Sequence, residues 1–378
     1  MDFDFSENQI MIRDLARGIL DKEVTPERVK AVTAQPDWCD RELWSTFAEA
    51  GLLSLAVPED LGGMGFGIAE ACVFLQEIGR VVAPAPVLPT LVLGGLAIAQ
   101  FGSDAQKKQW LEPMAAGKAM LTGALVDAGS ADPGKPATTA RKDGGGWILD
   151  GQKLFVPAAH LAQRILVPAI TDSGVGIFLV DPRAAGVSLT RDETTTREPL
   201  FAVKLSAVDV DATDLLGGDA QSGSEKLNWL YECAVIATCA TQIGVSEKTV
   251  ELTSRYVCER VQFGVPIGSF QAVQHRMADC YIDLEAMRWV TWRAAWKLSQ
   301  GSSATRDVAV AKFWAAEAGA RIAAAAQHLH GGIGVDVDYP VHRYFLWSKA
   351  LELSLGAAAP HLARLGRDMA RTGPLEFS

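Results

Sequence analysis

Residues 255–279, RYVCERVQFGVPIGSFQAVQHRMAD, combine residue types and spacings that suit an anionic ligand. Because Pro266 cannot continue a helix, we predict that one helix ends near Arg260 and that the next begins with Ser269 as its N-cap. The guanidinium of Arg260 can grip two phosphate oxygens at once, and Gln271 lies in the next helix's first turn, where backbone N–H groups are free. This pattern suits a nucleotide pyrophosphate. Taken alone, it is equally compatible with an ordinary helix–loop–helix that carries a surface arginine.

Three stretches of the chain carry a family resemblance. The pattern R-x-x-F-G-x-P-I-x-x-F-Q at residues 260–271 resembles the signature of the acyl-CoA dehydrogenase family. The pattern Q-x-x-x-G-G-x-G at residues 327–334, followed by Tyr-Pro-Val at residues 339–341, is similar to a second family signature. GLLSLAVPEDLGGMGFG at residues 51–67 fits the same family. These stretches span most of the chain in the family's order, so we expect the family's fold.

Composition limits the classes of function. The formal net charge of −10 argues against a nucleic-acid partner. The six cysteines form no C-x-x-C pair, which is typical of reduced, mostly buried thiols in a cytoplasmic protein. Charges occur throughout the first twenty residues, so we predict no targeting segment. Three prolines interrupt the longest uncharged run, residues 81–103, and therefore argue against a membrane span.

The patterning predicts an α+β fold in three domains. Helical periodicity fills residues 1–119, short alternating runs fill residues 120–216, and long helical periods fill residues 217–378. We therefore predict an N-terminal all-α domain, a small central β-domain and a C-terminal four-helix bundle, which is also the architecture that the resemblance implies. The predicted helices of the bundle are 224–259, 269–300, 304–329 and 341–371. The predicted strands are 165–169, 176–180 and 203–210.

Particular residues sharpen this prediction. Asp143 with Gly144, and Asp150 with Gly151, are sequences typical of hairpin turns. Trp289, Trp292 and Trp296 are spaced to lie on one helix face. We interpret these tryptophans as a core or subunit-interface stripe.

The resemblance implies a cofactor, FAD, that lies across a subunit interface. In similar enzymes one subunit's β-domain holds the flavin ring, and the neighbour's helical bundle holds the ADP portion. Carried over by motif position, the residues that would contact the ADP portion are Arg260, Gln262, Phe263, Gln271, Gln327, Gly331 and Gly332. Their chemistry suits that role, since arginine supplies a charged fork and glycine allows close backbone approach. Without the resemblance, a helix C-cap would explain the glycines.

The segments that would hold the flavin ring differ from those of the family. Where the family carries Thr-Glu-Pro, residues 125–127 read Leu-Val-Asp. Where the family carries a Trp-x-Thr-type stretch, residues 155–157 read Phe-Val-Pro. Proline has no N–H and offers no side-chain hydrogen bond. We therefore expect this chain to hold the ADP end of FAD for a neighbour and to hold a flavin ring poorly itself.

The family's reaction needs a carboxylate that removes a proton from the carbon beside the thioester. Leu355 occupies the position of that glutamate in most members, and Ala234 occupies the position used in others. Glu232 is about 200° from Ala234 around a helix, and we expect Glu352 to face away from Leu355. The six histidines offer no convincing replacement. We predict neither a catalytic base nor a metal site in this chain.

These features predict a non-catalytic subunit. The chain also resembles subunits of bacterial heterotetrameric (α2β2) acyl-CoA dehydrogenases that act on steroid side-chain CoA thioesters, most clearly in residues 330–336 and 340–345. In such assemblies a second acyl-CoA dehydrogenase-like chain brings the glutamate and the flavin-ring pocket. Two alternatives stay open: a self-sufficient homotetramer that uses Glu232 or Glu352 as its base, and a flavin-free structural or regulatory relative.

Overall fold

The structure, a computed structural model, describes residues 4–130 and 132–373. The chain forms two compact units. One comprises residues 27–71 and 84–234, apart from residue 131, and the other comprises residues 4–26, 72–83 and 235–373. The first unit contains the large sheet, and the second contains most of the long C-terminal helices.

Helices make up both ends of the described chain. The α-helices are α1 (Glu7–Glu23), α2 (Pro26–Thr33), α3 (Arg41–Glu49), α4 (Ile68–Val81), α5 (Ala97–Phe101), α6 (Asp104–Ala115), α7 (Gly223–Glu259), α8 (Gln271–Ser299), α9 (Thr305–His330), α10 (Val341–Leu353) and α11 (Ala358–Thr372). A π-helical segment, Leu88–Leu96, precedes α5. No helix in the described part of the chain is both long and apolar enough to cross a membrane.

The strands form an eight-stranded sheet and a separate hairpin. They are β1 (Leu121–Gly123), β2 (Val126–Asp127), β3 (Thr139–Asp143), β4 (Gly146–Pro157), β5 (Arg164–Thr171), β6 (Gly174–Val180), β7 (Val187–Asp192), β8 (Leu200–Asp211), β9 (Val261–Gln262) and β10 (Val265–Pro266). The large sheet has the order β1-β5-β3-β4-β8-β7, with β2 on β4 and β6 on β5. Buried side chains such as Leu149, Val167, Phe178 and Val203 form its core.

The predicted order of helices, strands and helices is observed, and the three predicted strands correspond to β5, β6 and β8. Asp143 with Gly144 begins the predicted hairpin turn between β3 and β4. The prediction of a turn at Asp150 and Gly151 is wrong. Gly151 lies inside β4 at a register shift, and a side chain there would meet Thr138 Oγ1 at 2.6 Å. A glycine bulge in a strand, rather than a turn, explains this residue.

The prediction of one helix over residues 341–371 is also wrong. The chain leaves the helical conformation after α10 and resumes it at α11. Leu355 (φ 54°) and Gly356 (φ 96°) both have positive φ, which a right-handed helix does not allow. The intervening loop therefore contains Leu355, the residue at the family's base position.

Candidate functional site

A short hairpin joins α7 to α8 and carries the first signature. The backbone N–H of Arg260 donates to Tyr256 O at 2.8 Å, and Arg260 O accepts from the N–H of Ile267 at 2.8 Å. Strands β9 and β10 pair antiparallel across the dipeptide Phe263-Gly264. Both residues of this dipeptide have positive φ, 53° and 81°, as a type I′ turn requires. The hairpin therefore sets the positions of Arg260 and Phe263 more firmly than the predicted loop would.

The side chains of the first signature face outward. Phe263 is 94% exposed, and Arg260, Gln262 and Gln271 are also exposed. Gln271 is the first residue of α8, as predicted. The prediction that Ser269 caps this helix is wrong, because its hydroxyl donates to Pro266 O at 2.7 Å and Phe270 takes the N-cap position.

The second signature follows the end of α9 in the same unit. Gly331 and Gly332 are exposed, and a methyl group added to either would meet no other atom within 4 Å. The Gln327 Oε1 atom is buried and accepts no hydrogen bond. A methyl group on Gly334 would meet that oxygen at 2.5 Å, so Gly334 leaves room for the amide. This face thus combines an unsatisfied buried acceptor with two open backbone positions.

A partly buried aromatic stack that sequence reasoning missed lies beside the second signature. The His330 ring stacks on Tyr256 with centroids 4.3 Å apart, and Tyr339 lies 5.4 Å from the same ring. Burial lowers the pKa of His330, whose Nδ1 lies 2.8 Å from Ala326 O. Its Nε2 is buried without a hydrogen-bond partner. The available signal was the histidine directly before the paired glycines.

A buried ion pair occupies the first of the two altered flavin-ring segments. Asp127 on β2 lies directly opposite Lys153 on β4, and the Lys153 Nζ donates to its carboxylate at 2.5 Å. Asp127 also accepts from the Thr138 hydroxyl at 2.6 Å and from the Thr138 N–H at 2.9 Å. Burial lowers the pKa of Lys153 to about 8, although Asp127 opposes that shift. The carboxylate is thus held by partners within the sheet.

The second altered segment offers few polar groups. Phe155 is 57% exposed and has a φ of 54°. The carbonyl oxygen of Pro157 accepts from the Thr122 hydroxyl at 2.7 Å. The phenyl ring can pack against a planar group but cannot hydrogen-bond to it.

The two positions predicted to correspond to the family's base, Ala234 and Leu355, hold apolar residues. Ala234 is fully buried within α7. The carbonyl oxygen of Leu355 accepts from the Nε2–H of His361 at 3.0 Å. Lys312, which is also buried, donates to Leu351 O at 2.7 Å and to Glu352 O at 3.0 Å. Cationic and neutral donors therefore surround the loop that contains Leu355.

The two alternative carboxylates have partners of their own. The Glu232 side chain is buried and accepts from Asn228 Nδ2 at 3.1 Å. The Glu352 carboxylate pairs with Lys349 Nζ one helical turn away. No group of three or more His, Cys, Asp or Glu side chains in the described residues is arranged to hold a metal ion.

The first and second signatures together fit the nucleotide portion of FAD. The Arg260 guanidinium forms no ion pair with any described residue and is free to donate to phosphate oxygens. The first N–H groups of α8 add positive potential beside it. Open space above Gly331 and Gly332 allows a ligand to approach the backbone. The Gln327 amide can accept from a ribose hydroxyl or an amino group if its side chain turns the buried Oε1 outward.

Comparisons with known proteins find one family of domains along the whole chain. The N-terminal, middle and C-terminal domain models of acyl-CoA dehydrogenase match residues 6–118, 126–206 and 212–370. Acyl-CoA dehydrogenase FadE27 of Mycobacterium tuberculosis is 39% identical over 380 residues, which cover 98% of this chain and 100% of the relative.

Two solved structures show the same fold. A variant of the Tcur3481–Tcur3483 steroid ACAD has 43% identity and a TM-score of 0.90, over 97% of this chain and 98% of that one. The ChsE4–ChsE5 complex from Mycobacterium tuberculosis has 39% identity and a TM-score of 0.93, over 99% of this chain and 100% of that one.

Proposed function

Since this chain belongs to the acyl-CoA dehydrogenase family, we propose that it is the non-catalytic subunit of an FAD-dependent acyl-CoA dehydrogenase. In this proposal an α2β2 complex removes hydrogen from the α and β carbons of a CoA thioester, with a steroid side chain as the acyl group. This chain completes the FAD site, and a second acyl-CoA dehydrogenase-like chain supplies the catalytic glutamate. In this proposal the complex is cytoplasmic, consistent with a sequence whose six cysteines form no C-x-x-C pair.

One observation carries the proposal: exposed polar residues and open glycines in the two signatures accompany apolar residues at positions 234 and 355. Arg260, Gln271 and the two open glycines are available to a ligand, whereas Leu355 and Ala234 cannot take a proton. A chain that turned over substrate alone would need both a cofactor half-site and a catalytic base. A subunit that completes a neighbour's site needs only the half-site.

The residues of the half-site would have distinct tasks. Arg260 would donate two hydrogen bonds to the pyrophosphate, and Gln271 would add an amide donor at the start of α8. Gly331 and Gly332 would admit the phosphates to the backbone, and Gln327 would accept a hydrogen bond from the adenosine portion. Gln262 and Phe263 would contact the same portion from the hairpin. Bound FAD would supply the acceptor for the hydride that leaves the β carbon.

The relatives support two chains and a steroid substrate. Both similar structures are named as pairs of proteins, Tcur3481 with Tcur3483 and ChsE4 with ChsE5. The first is described as a steroid ACAD. We extend both properties to this chain because identities of 43% and 39% cover nearly its whole length.

Expression with and without a catalytic partner tests the proposal. The chain is produced alone and together with an acyl-CoA dehydrogenase-like chain of the same genome that carries the glutamate. We expect visible flavin absorbance and dehydrogenation of a steroid side-chain CoA thioester only from the pair, with one FAD for each copy of this chain.

Two outcomes would contradict the proposal. An active, yellow homotetramer of this chain alone would favour the alternative of a self-sufficient enzyme. Activity assays of Glu232→Gln and Glu352→Gln would then identify its catalytic base. A pure complex without flavin absorbance would instead favour a structural or regulatory relative.

A further inference from the structure

Stacked aromatic rings connect the last turn of α7 to the last turn of α9. The ring centroids of Tyr256 and His330 are 4.3 Å apart, and the angle between the ring planes is 25°. The Tyr256 hydroxyl also donates to His330 O at 3.4 Å. Tyr256 lies one helical turn before Arg260, and His330 directly precedes Gly331. The rings therefore join the helix turns that carry the first and second signatures.

Backbone contacts tie the hairpin of the first signature to the turn of Tyr256. The N–H of Arg260 donates to Tyr256 O at 2.8 Å, and Arg260 O accepts from the N–H of Ile267 at 2.8 Å. A methyl group on Gly268 would meet Val257 O at 3.0 Å, so the end of the hairpin lies close against the same turn. A displacement of Tyr256 therefore moves the backbone of Arg260 with it.

The His330 ring is held in one orientation on α9. Its Nδ1 lies 2.8 Å from Ala326 O, and since a carbonyl oxygen can only accept, Nδ1 carries the hydrogen and donates. The Tyr339 ring packs beside it, with centroids 5.4 Å apart. A methyl group on Gly334 would meet the His330 Cβ at 3.2 Å, so the second signature folds back over this residue. His330 is only 3% exposed, and its ring cannot turn without moving these neighbours.

The binding groups themselves lie on exposed segments. All four residues of β9 and β10 are exposed. A methyl group added to Gly331 or Gly332 would meet no other atom within 4 Å. Neighbouring side chains thus do little to fix either segment, whereas the rings join the helix turns that precede them. The separation of the two segments accordingly depends on the contact between Tyr256 and His330.

We propose that the stacked rings of Tyr256 and His330 position the two parts of the half-site. They set the distance between the Arg260 guanidinium and the open backbone at Gly331 and Gly332. Groups on two helices bind one ligand most tightly when their separation is fixed before the ligand arrives, because binding then costs less ordering entropy. This role rests on the proposed function and deepens it. Both are positioning residues, since neither ring has to touch FAD.

Titration of the heteromeric apo-complex with FAD tests the ring of Tyr256. Tyr256→Leu, which removes the ring, should weaken FAD binding about tenfold, the upper range for loss of one aromatic pair. Tyr256→Phe keeps the ring and loses only the hydroxyl bond of 3.4 Å, so its affinity should stay within about twofold of the wild type. Wild-type affinity of the Tyr256→Leu complex would overturn the proposal.

His330 allows the ring and the hydrogen bond to be separated. His330→Phe keeps a ring and loses the donor to Ala326 O, whereas His330→Asn keeps a donor at that place and loses the ring. FAD affinity should fall about tenfold in the His330→Asn complex and about twofold in the His330→Phe complex. The reverse order would assign the effect to the hydrogen bond and contradict a role for stacking.

Tyr344→Leu is the matched control for a general loss of stability. Tyr344 is 6% exposed in the same unit, donates to Arg80 O at 2.9 Å and packs with Val82 and Val245. This substitution should lower the urea midpoint at least as much as Tyr256→Leu and leave the FAD affinity unchanged. A fall in affinity that follows the urea midpoint in both variants would mean that the rings only stabilise the fold.

A combination with Arg260→Ala tests whether the rings act through the arginine. Tyr256→Leu should weaken FAD binding about tenfold in the wild-type background but about twofold in the Arg260→Ala background, because the group to be positioned is then absent. Equal losses in the two backgrounds would show independent effects and contradict the proposed role.

Hydrogen exchange reports the contact without any cofactor. The Ile267 N–H, bonded to Arg260 O, and the Gly331 N–H, bonded to Gln327 O, monitor the two segments. In the flavin-free complex, Tyr256→Leu should speed exchange of the peptide that contains Gly331 about tenfold, although Tyr256 lies on α7. His330→Asn should likewise speed exchange of the peptide that contains Ile267. Changes confined to the substituted helix would show that the rings do not couple the segments.

The two measurements separate this role from the proposed function. A complex that binds FAD, but shows neither the loss of affinity nor the exchange across helices, supports the proposed function and overturns the positioning role. If the wild-type complex binds no FAD, the proposed function fails. Hydrogen exchange alone then decides whether the rings fix the two segments to each other.

Discussion

At the scale of single residues, Arg260 can bind an anion, whereas Leu355 cannot accept a proton. Arg260 offers a fixed positive charge at the end of a helix, where no described side chain neutralises it. Leu355 offers only a backbone carbonyl, which His361 engages. Replacing a glutamate by leucine removes proton transfer completely, whereas retaining an arginine preserves anion binding. The two residues therefore support the proposal that this chain keeps the cofactor-binding task of the family and lacks the proton-transfer task.

Replacing Arg260 tests the first of those tasks. We expect Arg260→Ala to weaken FAD binding by the heteromeric complex about 10- to 100-fold, since hydrogen bonds to charged groups contribute about 1.5–3 kcal/mol. The FAD affinity of the Arg260→Lys complex should lie between those of the wild-type and Arg260→Ala complexes, because lysine keeps the charge but lacks the planar guanidinium. Titration of the apo-complex with FAD measures the affinity.

The matched control for this titration is Arg255→Ala. Arg255 is also exposed and pairs with Glu251 at 3.1 Å, on the same stretch of α7. Its loss should leave the FAD affinity unchanged. Equal affinities of the wild-type and Arg260→Ala complexes would remove this arginine from the half-site.

At the scale of elements, the hairpin between α7 and α8 and the β2–β4 strand pair show opposite adaptations. The hairpin holds its polar and aromatic side chains outward, where a ligand can reach them. Strands β2 and β4 turn Asp127 and Lys153 inward and pair them with each other. We therefore propose that the hairpin serves cofactor binding and that the buried pair stabilises the sheet.

A double-mutant cycle on the β2–β4 pair tests that assignment. Lys153→Met or Asp127→Asn alone should lower the free energy of unfolding by about 3–5 kcal/mol, because either change leaves an unpaired buried group. The combined variant should cost less than the sum of the two. Urea unfolding of the chain measures these differences.

An exposed pair in the same unit provides the comparison. Lys135 and Asp132 lie 4.0 Å apart on the surface, so Lys135→Met should change the free energy of unfolding by less than about 0.5 kcal/mol. FAD content of the complex should not respond to the β2–β4 substitutions that still fold. A flavin-specific loss would instead mean that Asp127 serves the cofactor.

At the scale of the whole molecule, buried histidines couple stability to pH. His361 is 2% exposed, and burial lowers its pKa to about 4. The unfolded chain binds a proton on this residue near pH 6.5, whereas the folded chain does not until about pH 4. The folded state is therefore penalised progressively as the pH falls between these values. Burial lowers the pKa of His330 in the same direction.

We predict that His361 alone lowers the free energy of unfolding by about 3 kcal/mol between pH 6.5 and pH 4, at 1.36 kcal/mol per unit of pKa. Urea midpoints of the wild type and of His361→Gln are compared across this range. The variant should lose less stability than the wild type as the pH falls. Parallel pH profiles would show that this histidine titrates normally in the folded chain.

The sequence by itself determined the order of helices and strands, and it predicted where the half-site lies. Both rest on local chemistry: helical and strand periodicity, the proline and glycines near Arg260, and two signatures that span few residues. It also showed the apolar replacements at positions 234 and 355, since residue types need no coordinates.

Only the tertiary structure decided which distant side chains meet. The sequence around Gly151 is compatible with a turn or a bulge, and the pairing of β4 with β8 shows that it is a bulge. The sequence around Lys153 is compatible with a surface lysine, and the pairing of β4 with β2 shows that Asp127 lies opposite it. The stacking of His330 on Tyr256 and the exposure of Trp289 likewise depend on how separate helices pack. Such outcomes depend on non-local packing and burial, which no local pattern encodes.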